Sequence, residues 1–387
     1  MMPPGPGGST DASEWPPRRV LVVGGGLGGL AVAAAFGRLG AIVTVLERAP
    51  TLGEAGAGIQ VTPNGMRVLD ALGLGAEARA RSIRAEAVEA MDALSGHGLA
   101  RMDLGGSEDW RLFTRRALVE LLAEGARGAG SRILTGRKVS EVHPSGATAD
   151  GEAWTADLVV GADGIRSTLR EAIDGPAAPT FTGQVAWRAT VAAAHPPLAR
   201  IWMAPGRHVV TYPVASNRVN VVAVKEEESW AGEGWNHPDH PSHLRAAFAD
   251  AAPPLRALLG LAEETRRWGL FRRPVAARWH GGGLAILGDA AHPTLPFLGQ
   301  GANLALEDAW VLAREAMAGR LDRYEALRRP RAIRAVRAAD ANARNYHLRG
   351  PARVAAHLGL RALDRIAPGA MLRRLDWLYG FDATAEP

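Results

Sequence analysis

Residues 19–48, RVLVVGGGLGGLAVAAAFGRLGAIVTVLER, form the stretch that decides the fold, because they predict one complete βαβ unit. An apolar β-like run leads through a glycine-rich loop into a helical segment and a second β-like run, over about 30 residues. Gly24 permits a tight turn, Gly26 lets the backbone approach a pyrophosphate, and Gly29 permits close packing of helix on strand. Glu47 ends the second run, where a carboxylate can accept ribose hydroxyls. The unit predicts dinucleotide binding without separating FAD from NAD.

Two later stretches also place an acidic residue directly after a β-like run. They are GADGIRSTLR, residues 161–170, and LGDAAHPTLPFLGQG, residues 287–301. Taken alone, Asp163 and Gly164 could form only a turn, and Asp289 could cap a helix or turn or bind a polyol hydroxyl. Three such strand ends in separate α/β segments indicate one long ligand that crosses several strands. FAD suits this pattern, because its ribityl chain and ring extend beyond what one βαβ unit can hold.

The composition excludes several classes of function. The 387 residues contain no cysteine, which excludes disulfides, thiolate metal sites and cysteine nucleophiles, and no other metal site is predicted. Residues 1–17 are expected to be a disordered leader rather than a signal peptide. No apolar run reaches the ~18 residues of a membrane span, so we expect a cytoplasmic protein that does not bind a membrane. The net charge is +5, and the arginine-rich stretch at 324–344 is interpreted as a solvated helix face rather than a nucleic-acid site.

The order of patterns along the chain predicts an α/β protein interrupted by a second sheet. Alternating strands from about Gly175 to Arg273 indicate an antiparallel sheet carrying helices, and LAILGD then returns to the α/β style. We expect a Rossmann-like FAD-binding domain, a β-sheet substrate domain inserted into it, and C-terminal helices, with a ligand site at the domain junction. The segments are 18–80, 107–175 and 276–320 for the FAD-binding domain, 81–106 and 176–275 for the substrate domain, and 321–387 for the helical region.

These motifs together resemble a known family. GGGLGG, GADGIRSTLR and GDAAHPTLPFLGQGANLALEDA are similar to the three fingerprints of group A FAD-dependent aromatic hydroxylases, whose fold is of the PHBH (p-hydroxybenzoate hydroxylase) type in the GR2 class of flavoproteins. GAGIQVTPNGMRVLDALGL, VAWRA, TYPV, WGLFRRP, YEALRRPR and WLYGFDA resemble the salicylate hydroxylase and 3-hydroxybenzoate 6-hydroxylase branch. The resemblance extends from about Arg18 to Ala383. It implies an FAD monooxygenase that uses NADH or NADPH as a transient co-substrate and transfers oxygen from O2 through a flavin C4a-hydroperoxide.

The resemblance also implies roles for individual residues. Asp163 lies near the pyrophosphate and is linked to NAD(P)H use, Asp289 binds the ribityl chain, and Pro296 flanks the isoalloxazine. Gly299 replaces an alanine that is common in this branch. Positive potential at the N-terminus of the helix from 302 stabilises anionic reduced flavin. The residues implied for FAD are Gly24, Gly26, Gly29, Glu47, Arg48, Arg115 (beside Arg116), Asp163, Asp289, Gly299, Gly301, Ala302 and Asn303.

On the substrate side, the resemblance points to His208, Tyr212 and Gln300. His208 is the candidate base for a phenol proton, since a phenolate is the better nucleophile. His208 and Tyr212 are four apart on a strand and share a face, although they could merely cover the sheet. Arg188 could bind a substrate carboxylate or form a structural ion pair.

We expect a small phenolic or hydroxylated heteroaromatic acid, such as salicylate, a hydroxybenzoate or a hydroxynicotinate, as substrate of a monomer or homodimer. Two alternatives remain open at this point. One is the same flavin chemistry on a natural-product substrate such as a phenazine or a polyene. The other is an FAD reductase or dehydrogenase that inserts no oxygen.

Overall fold

The computed structural model describes residues 16–53, 58–105, 109–230, 232 and 237–385. Residues 1–15, which make up most of the predicted leader, lie outside the described residues. No helix within the described ranges is both long and apolar enough to cross a membrane.

The chain forms two large sheets, two small sheets and twelve α-helices within these ranges. The strands are β1 (Arg19–Val23), β2 (Ile42–Leu46), β3 (Gly58–Val61), β4 (Ile83–Arg84), β5 (Ala87–Asp92), β6 (Gly98–Asp103), β7 (Arg111–Thr114), β8 (Arg132–Leu134), β9 (Val139–His143), β10 (Gly146–Ala149), β11 (Glu152–Thr155), β12 (Leu158–Gly161), β13 (Thr180–Ala192), β14 (Leu198–Ala204), β15 (Arg207–Ala215), β16 (Arg218–Glu226), β17 (His237–Asp239), β18 (Thr265–Arg272), β19 (His280–Gly281) and β20 (Leu284–Ile286). The helices are α1 (Leu27–Arg38), α2 (Pro63–Ala71), α3 (Gly75–Ala80), α4 (Arg115–Gly128), α5 (Thr168–Asp174), α6 (Pro241–Ala247), α7 (Pro253–Gly260), α8 (Gly301–Met317), α9 (Leu321–Tyr346), α10 (Gly350–Ile366), α11 (Ala370–Arg374) and α12 (Asp376–Tyr379).

The first large sheet has six strands in the order β19-β20-β12-β1-β2-β8, parallel except at the β19–β20 pair. It is buried in the largest apolar core, which explains why β1 and β12 are almost entirely apolar. Helix α1 packs on β1 and β2 of this sheet and against both α4 and α8. A Cβ at Gly28 would lie 3.3 Å from the Ala305 Cβ, so the two helices approach closely there. The predicted βαβ unit at 19–48 is confirmed as β1, α1 and β2.

The second large sheet has eight strands in the order β17-β18-β13-β16-β15-β14-β5-β6. All neighbours are antiparallel except β14 and β5, which run parallel. One face packs on α6 and α7 through Leu244, Phe248 and Leu255. The other face contacts the loop at residues 292–301 and helix α9. The predicted antiparallel sheet carrying helices is therefore confirmed.

The predicted segments 81–106 and 176–275 both supply strands to this second sheet, β5 and β6 from the first and β13 to β18 from the second. The division into domains itself stays a prediction. Two three-stranded sheets, β3-β7-β4 and β11-β10-β9, complete the fold.

The interpretation of residues 324–344 as a solvated helix face is wrong for two arginines. Arg328 in α9 is fully buried and Arg331 is nearly so, because their guanidinium groups pair with carboxylates of α8. Arg334 and Arg337 of the same helix are exposed, as expected.

Candidate active site

Four strand ends of the six-stranded sheet bring predicted cofactor residues to one edge. The parallel strands β2, β1, β12 and β20 are neighbours in this order. Their carboxyl ends lead into Glu47, Gly24, Asp163 and Asp289 respectively. Neighbouring strands lie ~4.8 Å apart, so three spacings extend roughly 14 Å along the edge. Ligands of such folds bind in the crevice outside the carboxyl ends of the strands.

The glycine loop leaves open space where it meets helix α1. A Cβ at Gly24, where φ is +106°, would lie 2.4 Å from the Ala162 carbonyl oxygen, so glycine is required. A Cβ at Gly29 would lie 1.9 Å from the Gly24 oxygen. Gly26, in contrast, has no heavy atom within 4 Å of its Cβ position. Helix α1 has no side-chain cap and no acidic residue in its first turn, so its N-terminus can receive an anion.

Glu47 is fixed beside this loop. Its Oε2 accepts the N–H of Gly25 at 2.6 Å, and its Oε1 accepts the N–H of Ala49 at 2.7 Å. A carboxylate has about four acceptor sites, so Glu47 retains capacity for the hydroxyls of a ribose. Arg48 follows it and is exposed.

Asp163 presents an unpaired acceptor at the next strand end. Its Oδ2 accepts the N–H of Thr168 at 2.8 Å and the hydroxyl of Thr168 at 3.2 Å. Its Oδ1 is buried and has no hydrogen-bond partner within the described part of the chain. Burial raises the pKa of Asp163 above its ordinary value, against the hydrogen bonds from Ser167 and Thr168. A buried oxygen without a partner suits a hydrogen-bond donor on a ligand.

Asp289 follows the carboxyl end of β20 and is exposed to solvent, whereas Gly288 and Ala290 on either side are buried. The surrounding protein raises the pKa of Asp289 by desolvation, and the charges of His292 and Arg115 oppose this effect. Arg115 is therefore close enough to act on Asp289. Arg116 instead points outward, where its Nε donates to Glu120 at 2.8 Å. Of the two adjacent arginines, Arg115 is the one turned toward the crevice.

The loop from residue 292 leads into a helix N-terminus that is also open. Pro296 is exposed, whereas Leu295 and Phe297 on either side are buried. Gly299, with φ +63°, ends the short 3-10 turn and directs the chain into α8. Helix α8 has neither a side-chain cap nor an acidic residue in its first turn, and its first residues Gly301 and Ala302 are only half-buried. The positive end of a 17-residue helix therefore borders the crevice.

Gln300 and Asn303 use their side chains inside the protein, and both are fully buried. The Gln300 amide donates to the Thr62 hydroxyl at 2.9 Å and accepts from Asn64 Nδ2 at 3.1 Å. Asn303 Oδ1 accepts the Thr62 N–H at 2.9 Å, and its Nδ2 donates to the Gln60 carbonyl at 3.1 Å. These bonds tie the start of α8 to β3 and to the chain directly after it. A contact between the Gln300 side chain and a substrate stays a prediction, and this geometry favours a role in holding the loop.

Below this helix end lies a buried group of charges. Glu307 and Asp308 of α8 are fully buried, and Arg328 of α9 lies between them, with Nη1 2.6 Å from Glu307 Oε2 and Nε donating to Asp308 Oδ1 at 2.7 Å. Asp308 Oδ2 also accepts the Gly288 N–H at 3.0 Å and contacts His292 Nε2. Burial alone would raise the pKa of Asp308, but the charges of His292 and Arg328 outweigh it and lower that pKa to about 2. His292, within the third fingerprint, thus holds the loop by contacting Asp308.

His208, Tyr212 and Arg188 lie on the face of the eight-stranded sheet that is turned toward this loop. His208 and Tyr212 share that face, as their spacing predicts, and Arg188 of β13 lies in the row between them. The Arg188 guanidinium stacks over the Trp268 ring at 4.7 Å. Phe297 of the loop approaches the His208 ring edge-on, with centroids 5.1 Å apart. Burial raises the pKa of Tyr212, against the charge of Arg188, so its hydroxyl stays protonated.

His208 is a buried neutral imidazole. It is 1% exposed, and burial together with the charge of a second histidine, His347, holds its pKa well below the ordinary value. The His208 Nδ1 lies 2.8 Å from His347 Nε2. Three residues that contact predicted site residues carry no signal in the sequence, namely His347 at His208 and Thr62 and Asn64 at Gln300. Each pair is 139 or more positions apart in the chain, so no local pattern marks it.

The crevice fits FAD on these observations alone. Three features lie along the carboxyl edge of the six-stranded sheet: the open loop before α1, the unpaired Asp163 oxygen and the N-terminus of α8. A dinucleotide that carries a second aromatic ring needs binding groups spaced along such an edge. The class that the fold and this edge define is an FAD-dependent oxidoreductase of the α/β type.

Comparison with known proteins narrows this class. A family model described as "FAD binding domain" matches residues 18–339. The 3-amino-4-hydroxybenzoate 2-monooxygenase PtnB3 of Streptomyces platensis is 39% identical, with 94% of this chain and 96% of that protein covered. The 3-hydroxybenzoate 6-hydroxylase of Polaromonas naphthalenivorans is 32% identical, with 94% and 96% covered. Klebsiella pneumoniae HpxO complexed with FAD and uric acid has a TM-score of 0.78 at 26% identity, covering 90% of this chain and 94% of that chain.

The chain belongs to the FAD binding domain family. It is an FAD-dependent monooxygenase of the aromatic hydroxylase type, which confirms the resemblance seen in the sequence.

Proposed function

We propose that the protein uses NADH or NADPH and O2 to hydroxylate a small phenolic or hydroxylated heteroaromatic acid. One observation carries the substrate class. His208, a neutral buried imidazole, and Arg188, a guanidinium, lie on the face of the eight-stranded sheet that is turned toward the loop before α8. A phenol hydroxyl and a carboxylate on one ring are the groups that this pair recognises.

FAD is proposed to lie along the crevice, with Gly26 and the α1 N-terminus at its pyrophosphate and Glu47 at its ribose. Asp289 accepts hydroxyls of the ribityl chain, and Arg115 adds positive charge beside it. The uncapped N-terminus of α8 stabilises negative charge on the pyrimidine edge of the ring. When bound, FAD supplies the redox chemistry with O2, and the protein binds, orients and excludes water.

On the substrate side, each residue has a distinct proposed role. Arg188 binds the carboxylate and is held in place by stacking on Trp268. His208 Nε2 accepts the phenol proton, and the depressed pKa of His208 keeps it in the neutral form that a base needs. Phe297 and Tyr346 pack on the His208 ring at 5.1 and 5.2 Å and exclude water from it.

The reductant is proposed to act near Asp163. Two almost fully buried arginines, Arg170 and Arg273, lie beside that loop, and Arg273 Nη1 donates to the Ile165 carbonyl at 3.2 Å. Burial and the Arg273 charge lower the pKa of Arg170 to about 10. Their positive potential favours the phosphates of a transiently bound NAD(P)H. We also propose that the protein acts in the cytoplasm as a monomer or a homodimer.

The test is substrate-stimulated oxidation of NADH and NADPH by the purified FAD protein. The panel contains 3-amino-4-hydroxybenzoate, 3-hydroxybenzoate, salicylate and 6-hydroxynicotinate, with benzoate and phenol as matched controls that lack one of the two groups. We expect stimulation and labelled oxygen from ¹⁸O2 in the product only when both groups are present. Oxidation without label indicates a reductase, and stimulation by none of the four acids would reject a phenolic acid of this class as substrate.

A further inference from the structure

The buried His208 is connected to a solvent-open cavity through one further histidine. We propose that His347 relays the phenol proton from His208 to water in that cavity, and that Glu226 fixes the tautomer in which His347 can do so. This inference rests on the proposed function, because it concerns the fate of the proton that His208 accepts there.

The three side chains form a continuous chain. His208 Nδ1 lies 2.8 Å from His347 Nε2, and His347 Nδ1 lies 3.1 Å from Glu226 Oε1. The His347 side chain is 3% exposed, whereas that of Glu226 is 37% exposed. A cavity of ≈ 460 Å³ is lined by His347, Glu226 and Gln184 but not by His208. His347 is therefore the group that separates the buried base from the cavity.

The Glu226 carboxylate determines which nitrogens carry protons. Burial would raise the pKa of Glu226, but hydrogen bonds from Arg349 and His347 outweigh it and keep the group ionised. An ionised carboxylate only accepts, and Glu226 lies nearer to His347 Nδ1, at 3.1 Å, than the Gln184 amide nitrogen does, at 3.4 Å; we therefore assign the proton to His347 Nδ1 and the acceptor role to its Nε2. His208 must then donate from Nδ1 to His347 Nε2. The remaining lone pair of His208 is on Nε2, the nitrogen available to a phenol.

A relay is needed because the imidazolium form of His208 is unstable. Burial depresses the pKa of His208 far below its ordinary value, so His208 accepts a proton readily only if it passes one on. Burial also lowers the pKa of His347, against the raising effect of Glu226. Neither ring therefore retains the proton near neutral pH.

The transfer balances without any further reactant except water. The phenol O–H bond breaks as an N–H bond forms at His208 Nε2. The Nδ1–H bond of His208 breaks as a new bond forms at His347 Nε2. The Nδ1–H bond of His347 then breaks, and its proton enters cavity water beside Glu226. Both imidazoles end in the opposite tautomer, and they return when the proton moves back or the rings exchange with solvent.

The charges around the relay favour release of the proton. Glu226 is paired with Arg349 at 2.6 Å, and Tyr346 of α9 packs on the His208 ring while its hydroxyl donates to the Phe297 carbonyl at 3.2 Å. The other charged side chains that line the cavity are Arg272 and Arg344. An excess of arginine disfavours a resident imidazolium next to the cavity.

The backbone fixes His347 in this position. His347 follows the last residue of α9, and its carbonyl accepts the Gly206 N–H of the β14–β15 turn at 3.1 Å. A Cβ at Gly206 would lie 2.2 Å from Arg349 Nη2, so the turn, the histidine and the arginine are in close contact. The spacing between the two rings therefore depends on the fold rather than on a flexible side chain.

The variant His347→Gln tests the relay in the FAD-bound enzyme. Glutamine can accept from His208 Nδ1–H and donate to Glu226, but it cannot pass a proton from one atom to the other. With 3-amino-4-hydroxybenzoate at pH 7 we expect kcat to fall by about 10- to 100-fold while KM changes little. Activity should recover toward pH ~10, where the phenol ionises in solution. The matched control is His357→Gln, because His357 of α10 also contacts a carboxylate, Asp92, but lies outside this chain of groups.

Wild-type kcat with an unchanged pH profile in His347→Gln would overturn the relay, and so would a loss of activity that high pH does not restore. A second measurement needs no turnover, namely the ¹⁵N NMR signals of the histidine rings in the FAD-bound protein without substrate. We expect His208 and His347 both as neutral Nδ1–H tautomers, and a proton on His208 Nε2 would overturn the relay. Expected tautomers together with no turnover on any phenolic acid would place the failure in the proposed function instead.

Discussion

Replacing Arg328 by methionine should destabilise the folded protein by about 3–5 kcal/mol, because it leaves two buried carboxylates without their shared cation. Methionine keeps a similar length but no charge. Glu307 retains Arg331 as a partner, with Nη2 2.8 Å from Glu307 Oε1, so Asp308 bears most of the loss. The pKa of Asp308, lowered from 3.8 to about 2, corresponds to roughly 2.5 kcal/mol of net stabilisation of its charge. The desolvation of Asp308 remains after the substitution, and this brings the expected total into the stated range.

The assay is urea-induced unfolding at pH 7 with saturating FAD, followed by far-UV circular dichroism. The matched control is Arg337→Met on the exposed side of the same helix, which should change the free energy of unfolding by less than ~0.5 kcal/mol. The double variant Arg328→Met with Asp308→Asn removes the orphaned charge as well. We expect the two changes to be non-additive by about 1–3 kcal/mol.

A cost of Arg328→Met below ~1 kcal/mol, or additivity of the two substitutions within ~0.5 kcal/mol, would refute this electrostatic explanation. Either result would mean that water or a local rearrangement screens Asp308. Because Asp308 also holds Gly288 and His292, we further expect the Arg328 variant to bind FAD more weakly in a fluorescence titration.

Three other predictions concern the cofactor loop, the base and acid stability. Gly26→Ala should leave the stability of the apoprotein nearly unchanged, because the added Cβ meets no protein atom, but it should weaken FAD binding at least ~10-fold in a fluorescence titration, because that Cβ enters the crevice. The control Gly29→Ala, whose Cβ would lie 1.9 Å from the Gly24 oxygen, should instead lower the yield of folded protein. His208→Ala should keep FAD bound and slow hydroxylation by roughly 10²-fold or more at pH 7, with partial recovery at high pH, and unchanged turnover would assign His208 to the sheet alone. The stabilisation from Asp308, whose pKa is lowered from 3.8 to about 2, is present above pH ~4 and is lost as the pH falls toward 2. The urea midpoints of wild type and Asp308→Asn should therefore converge as the pH falls from ~4 to ~2, and a constant difference over that range would contradict the assignment.

The sequence predicted those parts of the fold that depend on local patterns. The unit at 19–48 appears with its predicted elements because strand, glycine turn and helix are each specified within a few residues of themselves. The strand ends at Asp163 and Asp289 were predictable as partners of that unit, since parallel strands bring their carboxyl ends to one edge. The shared face of His208 and Tyr212 follows from strand alternation alone.

The remaining features depend on contacts between distant segments. Arg328 and Arg337 lie in the same arginine-rich helix pattern, and only the position of α8 decides that one is buried and the other exposed. Gln300 was a candidate for substrate contact because of its place in a fingerprint, yet its amide bonds residues of the chain after β3, more than 200 positions away. Whether a side chain faces a ligand or another part of the protein is a tertiary property that no local pattern contains.

The parallel pairing of β14 with β5 has a consequence for recombination between homologues. One seam of the eight-stranded sheet, with Leu198 opposite Ala87 and Met203 opposite Asp92, joins two stretches that are separated in the gene by the coding sequence for β6 to β13, which includes Arg115 and Asp163 of the cofactor crevice. A chimaera that exchanges only the long segment around β13 to β18 would keep the parental β5 and β6, and would create a mismatched seam. Libraries aimed at new substrates therefore need two simultaneous crossover blocks, one around residues 83–103 and one around 180–272. A library that exchanges only one of the two blocks would select first for variants in which β5 and β14 still pair, and only then for activity.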